Sequence, residues 1–241
     1  MHGVSRRRRN RAPEPAAGQF VTARIWDLPT RLSHWAIASL FVFQFITGQY
    51  GLMPGEFHLW AGYLLCVAVL FRLQWGLIGP SSARFSDFLT GPGKVWRYLR
   101  GLWSRKPSHW PGHNPLGGWS SALMLLLLTL QAATGLFIET WGEVRGPLAE
   151  RVSRQTAITM GDLHGLLQWP LLVLVAVHVL AALGYLLFKR EDRIGPIFHS
   201  GRLQVPPGTA DITPATPWRA WLVLAVSVTV TALIVWLGPV A

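Results

Sequence analysis

Residues 162–188 read DLHGLLQWPLLVLVAVHVLAALGYLLF. After Asp162 no acid and no lysine or arginine appears until Lys189. About 20 mostly apolar residues suffice for a helix to cross the hydrocarbon core of a bilayer, so this stretch reads as a membrane span. It holds two histidines, His164 and His178. An ionisable side chain inside a membrane is costly and points to function by default; the bland alternative is a histidine hydrogen-bonded to a neighbouring helix. Fourteen residues of helix rise about 21 Å and turn through about 320°. The two imidazoles therefore share a face and lie near opposite leaflets.

Four more stretches have the same character, residues 32–51, 57–78, 119–138 and 218–237. The composition agrees. Of 241 residues, 51% are hydrophobic, 14% are charged and 13 are Trp. A soluble domain carries about 25% charged residues, and Trp gathers at membrane interfaces. No cleavable signal peptide is expected, because no apolar run follows the arginines of the N-terminal tail. The single cysteine, Cys66, excludes an internal disulfide framework, a thiolate zinc site and a CxxCH haem attachment. It reads as inert packing.

The net charge is +11. Seven basic residues precede the first span, six lie between the second and third spans, and four lie between the fourth and fifth. The opposite side carries three, Arg145, Arg151 and Arg154, beside Glu139, Glu143, Glu150 and Asp162. Cytoplasmic loops collect Lys and Arg. The N-terminus is thus expected in the cytoplasm and the C-terminus in the periplasm, and the charge needs no nucleic acid to explain it. Residues 94–106, KVWRYLRGLWSRK, place Val95, Tyr98, Leu99, Leu102 and Trp103 at helical spacing. They predict an amphipathic helix on the cytoplasmic leaflet. Residues 189–216 read as a linker, which makes the fifth span peripheral.

His34 begins the first span and His58 the second. By orientation, His34 matches the depth of His178, and His58 that of His164. Two transverse pairs result, one per leaflet. Bis-histidine axial ligation of haem is the best fit. Zinc or di-iron sites want three or four clustered ligands or carboxylates, which the spans lack; copper prefers Met and Cys. Gly62, one turn after His58, and Gly48, at the depth of the outer pair, offer room for a macrocycle, or for ordinary close helix packing. Arg72 lies fourteen residues after His58, near the inner pair. It either neutralises a haem propionate or snorkels to the headgroups.

The strings RIWDLPTRLSHW, FHLWAGYLLCVAVLFRLQWGLIGPSSARFSDF and GHNPLGGWSSALMLLLLTLQAATGLF, with the paired histidines of 162–188, resemble the bacterial cytochrome b561 family. That family is related to the b-type cytochrome subunits of nickel–iron hydrogenases and formate dehydrogenases. The likeness covers residues 25–188. It implies an all-α integral membrane protein: a four-helix transmembrane bundle holding two b haems, here followed by a fifth C-terminal transmembrane helix. It implies His34 and His178 as ligands of the cytoplasmic-side haem iron, and His58 and His164 as ligands of the periplasmic-side one. The resulting domains are a basic tail, 1–24, the di-haem core, 25–188, the linker, 189–216, and the last helix, 217–241.

The resemblance also implies electron transfer across the bacterial inner membrane. The electrons pass between the quinone pool and a periplasmic c-type cytochrome, dehydrogenase or hydrogenase subunit. In relatives attached to large dehydrogenases the quinone pocket lies by the loop entering the third helix. Here that loop is GHNPLGG, so His113 and Asn114 are the expected quinone contacts. Asn114 alternatively caps the helix that begins at Pro115. A second reading is a stand-alone quinone oxidoreductase acting on a small periplasmic molecule such as superoxide, drawn by the outer arginines. A cofactor-free transporter is disfavoured, since no internal repeat is apparent.

Overall fold

The computed structural model describes residues 21–102, 110, 112–139, 145–205, 207–209, 211–213 and 215–238. The tail with His2, the positions Trp103, Arg105, Lys106 and His109, and Glu143 lie outside these residues.

Helix α1 spans Leu28–Tyr50. It starts where Asp27 accepts a hydrogen bond from Thr30 N at 3.1 Å, with a proline in its first turn, and stops at Gly51, whose φ of 58° is left-handed. Helix α2 is Gly55–Ile78. A short α3, Phe85–Phe88, leads to α4, Pro92–Arg100. Helix α5, Pro115–Gly135, is capped by Asn114, which accepts from Gly117 N at 2.7 Å. Helix α6, Arg154–Phe188, is capped by Ser153 and runs 35 residues through Pro170. That is about 52 Å of helix, so its ends extend beyond a hydrocarbon core of about 30 Å. Helix α7 is Pro217–Trp236.

Among the described residues four helices, α2, α5, α6 and α7, are long and apolar enough to cross a membrane. The sequence counts residues 32–51 as a further span, but α1 is not among the four. It is long enough; its apolar run is diluted by Thr30, Arg31, Ser33, His34, Gln44 and Thr47, of which Thr30, Ser33 and Thr47 are buried against its neighbours. Its polarity points inward.

Helix α1 packs on α2, α5 on α6, and α2 joins the two pairs through α5. Buried Leu65, Val69, Leu128 and Leu171 form a cluster with Ile37, Leu40 and Phe41 of α1. In chain order this cluster falls between the two histidine levels. Val173, Val177, Leu180 and Leu187 of α6 are exposed, as a lipid-facing surface requires.

A helix does follow α2 in the stretch expected to be amphipathic, but α4 ends at Arg100: Val95 and Tyr98 are half-buried, the charged residues and Leu99 are exposed, and Leu102 lies in the turn beyond it. The tail and linker acquire structure that the sequence does not foretell. Strand β1, Val21–Arg24, pairs antiparallel with β2, Arg202–Val205. Ala23, Ile25, Leu203 and Val205 bury a small second core there. Arg31 and Trp35 of α1 donate to the Ile197 carbonyl at 3.4 and 3.2 Å, fastening this cap to the bundle. Helix α7 lies on the outer side of α2, where Val223 meets Phe71 and Trp75, and Gln74 Nε2 donates to Ser227 Oγ at 2.9 Å.

Candidate functional site

The fold brings the four span histidines together in two pairs. His34 of α1 faces His178 of α6 with ring centroids 6.4 Å apart and planes at 48°. His58 of α2 faces His164 of α6 at 6.3 Å and 76°. A metal sits about 2 Å from each ligating imidazole nitrogen, and a five-membered ring with bonds near 1.33 Å has a radius of about 1.1 Å. Two imidazoles in line on one metal therefore hold their centroids about 6.2 Å apart. A direct N–H···N hydrogen bond would bring them to about 5.2 Å. Both separations match the metal-sized gap. Among the described residues no group of three or more His, Cys, Asp or Glu is placed to hold a metal ion. An ion held by either pair must bring its other ligands with it, as iron in a porphyrin does. The residues fit haem.

The outer pair has visible support. Thr47 Oγ1 lies 3.0 Å from His58 Nδ1, and Thr134 Oγ1 lies 3.2 Å from His164 Nδ1, which also meets the Gln131 carbonyl at 2.9 Å. Each threonine donates its hydroxyl hydrogen to the carbonyl one turn back, Phe43 at 2.9 Å and Leu130 at 2.9 Å. What remains for the imidazole is a lone pair, so Nδ1 carries the proton and Nε2 is left for a metal. A Cβ on Gly48 would stand 2.8 Å from His58 Cε1. The room expected at Gly48 is thus taken by an imidazole. Gly62 is close to Gln44 Nε2, 3.0 Å from where its Cβ would be. Gly135 does for His164 what Gly48 does for His58. Thr47, Gln131, Thr134 and Gly135 are not singled out by the sequence reading; their signal was the string Gln-x-x-Thr-Gly, which occurs at 44–48 and again at 131–135.

At the inner level Arg72 is buried, and its Nη1 has no hydrogen-bond partner. Its charge acts on His34 and His113. An unmet guanidinium donor beside the inner pair suits a carboxylate. His34 Nδ1 is likewise buried and unpartnered. His113 is packed between Trp26, at 4.9 Å, and Phe88, at 4.6 Å. Burial, and then the nearby Arg72, push its pKa down to about 3, so it is neutral at physiological pH. Asn114 serves as the helix cap, and its Nδ2 also donates to Tyr185 Oη at 3.2 Å. Tyr185 in turn hydrogen-bonds Tyr98 of α4. Burial and that bond raise the Tyr98 pKa and keep its phenol protonated. Asn114, Tyr185 and Tyr98 form one hydrogen-bonded seam between α4, α5 and the end of α6, and His113 precedes it in the chain with its buried Nδ1 unpartnered.

The opposite end is self-paired. Arg145 bridges Glu139 at 2.7 Å and Glu150 at 2.9 Å. Arg151 donates to the Leu237 carbonyl at the end of α7 at 2.8 and 3.1 Å.

Comparison with known proteins gives a family described as prokaryotic cytochrome b561, matching residues 25–200. The chain is similar to proteins described as probable Ni/Fe-hydrogenase B-type cytochrome subunits. The one from Azotobacter vinelandii is 26% identical over 212 residues, covering 74% of this chain and 88% of the relative. Those from Rhizobium leguminosarum bv. viciae and Cupriavidus necator are each 26% identical, covering 74% and 75% of this chain and 88% and 84% of the relatives. No solved structure matches.

Proposed function

The chain belongs to the prokaryotic cytochrome b561 family, and on that footing we propose that it passes electrons from one membrane face to the other through two b haems. Haem supplies one-electron Fe(III)/Fe(II) chemistry when bound. The observation that carries the reading is the pair of gaps, 6.4 Å between His34 and His178 and 6.3 Å between His58 and His164.

The protein's own residues do the rest. His58 and His164 would hold a haem iron at the outer level, and His34 and His178 one at the inner level. Arg72 offers its buried guanidinium to a propionate of the inner haem. Leu65, Val69, Leu128 and Leu171 exclude water between the levels. The step along α6 from His164 to His178, about 21 Å, sets their separation. Helix α1 crosses the membrane with the four more apolar helices, since it carries a ligand and packs along α2. Helix α7 is the fifth transmembrane helix, seated outside the haem core.

The excess of basic residues on the connections at the inner level supports a reading with that level toward the cytoplasm of a bacterial inner membrane and the C-terminus periplasmic. The relatives' descriptions support a hydrogenase subunit as partner, which on this reading meets the outer level; a c-type cytochrome or another dehydrogenase subunit would serve the same level. Quinone is the membrane partner. The seam of Asn114, Tyr185 and Tyr98, with His113 before it in the chain, supplies neutral hydrogen-bond donors suited to its carbonyl oxygens. The stand-alone reading, with a small anion such as superoxide as substrate, draws less support, because Arg145 is paired with Glu139 and Glu150.

Purification followed by a haem assay and reduced-minus-oxidised spectra tests the proposal. The expected result is two b-type haems per chain, both reducible. A protein without haem b after expression with ample haem supply would contradict it.

A further inference from the structure

Both outer histidines are seated by the same three residue types, and the likeness extends well beyond them. On α1 these are Gln44, Thr47 and Gly48; on α5 they are Gln131, Thr134 and Gly135. Thr47 Oγ1 also donates to the Gln44 carbonyl at 3.3 Å, as Thr134 Oγ1 does to the Gln131 carbonyl at 3.0 Å. A Cβ on Gly135 would meet His164 Cε1 at 3.1 Å, as one on Gly48 would meet His58 Cε1 at 2.8 Å. The side-chain Oε1 atoms of both glutamines are buried without a partner.

Each α5 residue of this set lies eighty-seven positions after its α1 counterpart. The same step carries Asp27 to Asn114, the two helix caps, and carries Thr30 and Gly117, the residues whose N–H groups they accept, onto one another. It carries Leu40 to Leu127 and Phe41 to Leu128, all in the central cluster. Between α2 and α6 the step is one hundred and six. It carries His58 to His164, and Leu65 and Val69 to Leu171 and Val175, again within that cluster. These two steps align the pair α1–α2 with the pair α5–α6, position by position, as copies of one hairpin would be. The sequence hides this likeness because the loop inside the second pair is longer and few side chains coincide.

The aligned pairs agree at the outer level and differ at the inner one. The same steps carry His34 to Ser121 and Arg72 to His178. The outer site is thus built of equivalent halves, whereas each pair gives the inner site one histidine that the other lacks.

We propose that Gln44–Thr47–Gly48 and Gln131–Thr134–Gly135 are twin positioning seats of these aligned hairpins. They hold both outer imidazoles with Nδ1 protonated and Nε2 facing the gap, so that the two histidines would meet the outer haem iron on equal terms. This rests on the di-haem reading given above. A hydrogen-bond acceptor at the outer nitrogen makes an imidazole a stronger donor to its metal. That favours the oxidised iron, so loss of either seat raises the outer potential.

The test is an optical redox titration of the full-length, haem-loaded protein carrying Thr47→Val, Thr134→Val or both. Each single variant is expected to keep two haems and to shift the same one of the two midpoints upward, by similar amounts. The double variant shifts it further, and serine at either position restores it. Thr129→Val, whose hydroxyl bonds back to the Leu125 carbonyl, moves neither midpoint. Gly48→Ala and Gly135→Ala give a second readout that does not depend on how the valine variants fold: each displaces an outer imidazole and is expected to cost the same single haem. Two haems with both midpoints unmoved in the threonine or glycine variants would overturn the seats and leave the di-haem reading standing. Wild-type protein without haem would overturn that reading itself.

Discussion

The indole of Trp75, 0% exposed, donates its Nε1 hydrogen to Asp27 Oδ2 at 3.1 Å, while Asp27 Oδ1 caps α1 by accepting from Thr30 N at 3.1 Å. One buried carboxylate thus sets the start of the helix that carries His34 and fixes it to α2. Replacing Asp27 by Ala removes a cap worth about 1 kcal/mol and strands a buried N–H at a cost of about 1–3 kcal/mol. The expected loss is about 2–4 kcal/mol, read as a lower unfolding temperature of the purified protein. Asn at this position keeps the cap and one acceptor oxygen, and is expected to lose about half as much. An Ala variant as stable as wild type would show that the contact contributes nothing.

Leu171 is 1% exposed among Leu65, Val69 and Leu128. Truncation to Ala leaves a cavity and is expected to cost about 2–5 kcal/mol. Because Leu171 touches the space between the levels and is no ligand, both haem signals are expected to persist in the folded variant. Thermal unfolding followed by haem absorbance reads both quantities in one experiment.

The pairing of the histidines in space was legible in the sequence because it follows from two regular quantities, the helical repeat and the side of the membrane on which Lys and Arg collect. Fourteen residues on one helix place His164 and His178 without knowledge of any neighbour. The seats of Thr47 and Thr134 were not legible, since their role depends on which helix stands beside which, and α1–α2 and α5–α6 adjacency is a property of packing. The β1–β2 pair escaped for a like reason. Each strand is only four residues long, and its partner lies at the other end of the core. Helix α1 was read as a span in spite of its polar residues: Thr30, Ser33 and Thr47 weaken that signal, and all three are buried.

Arg72 carries a positive charge into the inner level. Charge there favours the reduced haem, which is the less positive form. Arg72→Gln is therefore expected to lower the inner midpoint and leave the outer one in place, as read by potentiometric titration. An unmoved inner midpoint would mean that the guanidinium serves only to reach the headgroups.

His113 is held neutral between Trp26 and Phe88, its pKa pushed down to about 3 from 6.5. A group depressed in this way contributes stability that is fully present above pH 6.5 and is lost as the pH falls toward 3. Between these limits the unfolded chain takes up a proton that the folded one refuses. Unfolding temperatures measured at pH 7 and pH 4.5 are expected to fall less for His113→Gln than for wild type. Equal falls would place the acid sensitivity elsewhere.

The central claim is that iron at two depths is gripped by His34 with His178 and by His58 with His164. Haem stoichiometry with low-temperature difference spectra of His178→Ala and His58→Ala, each beside wild type, tests it most directly. Wild type is expected to hold two haems and each variant one, with a different surviving signal in each. Two unaltered signals in either variant, or the same signal lost from both, would contradict it.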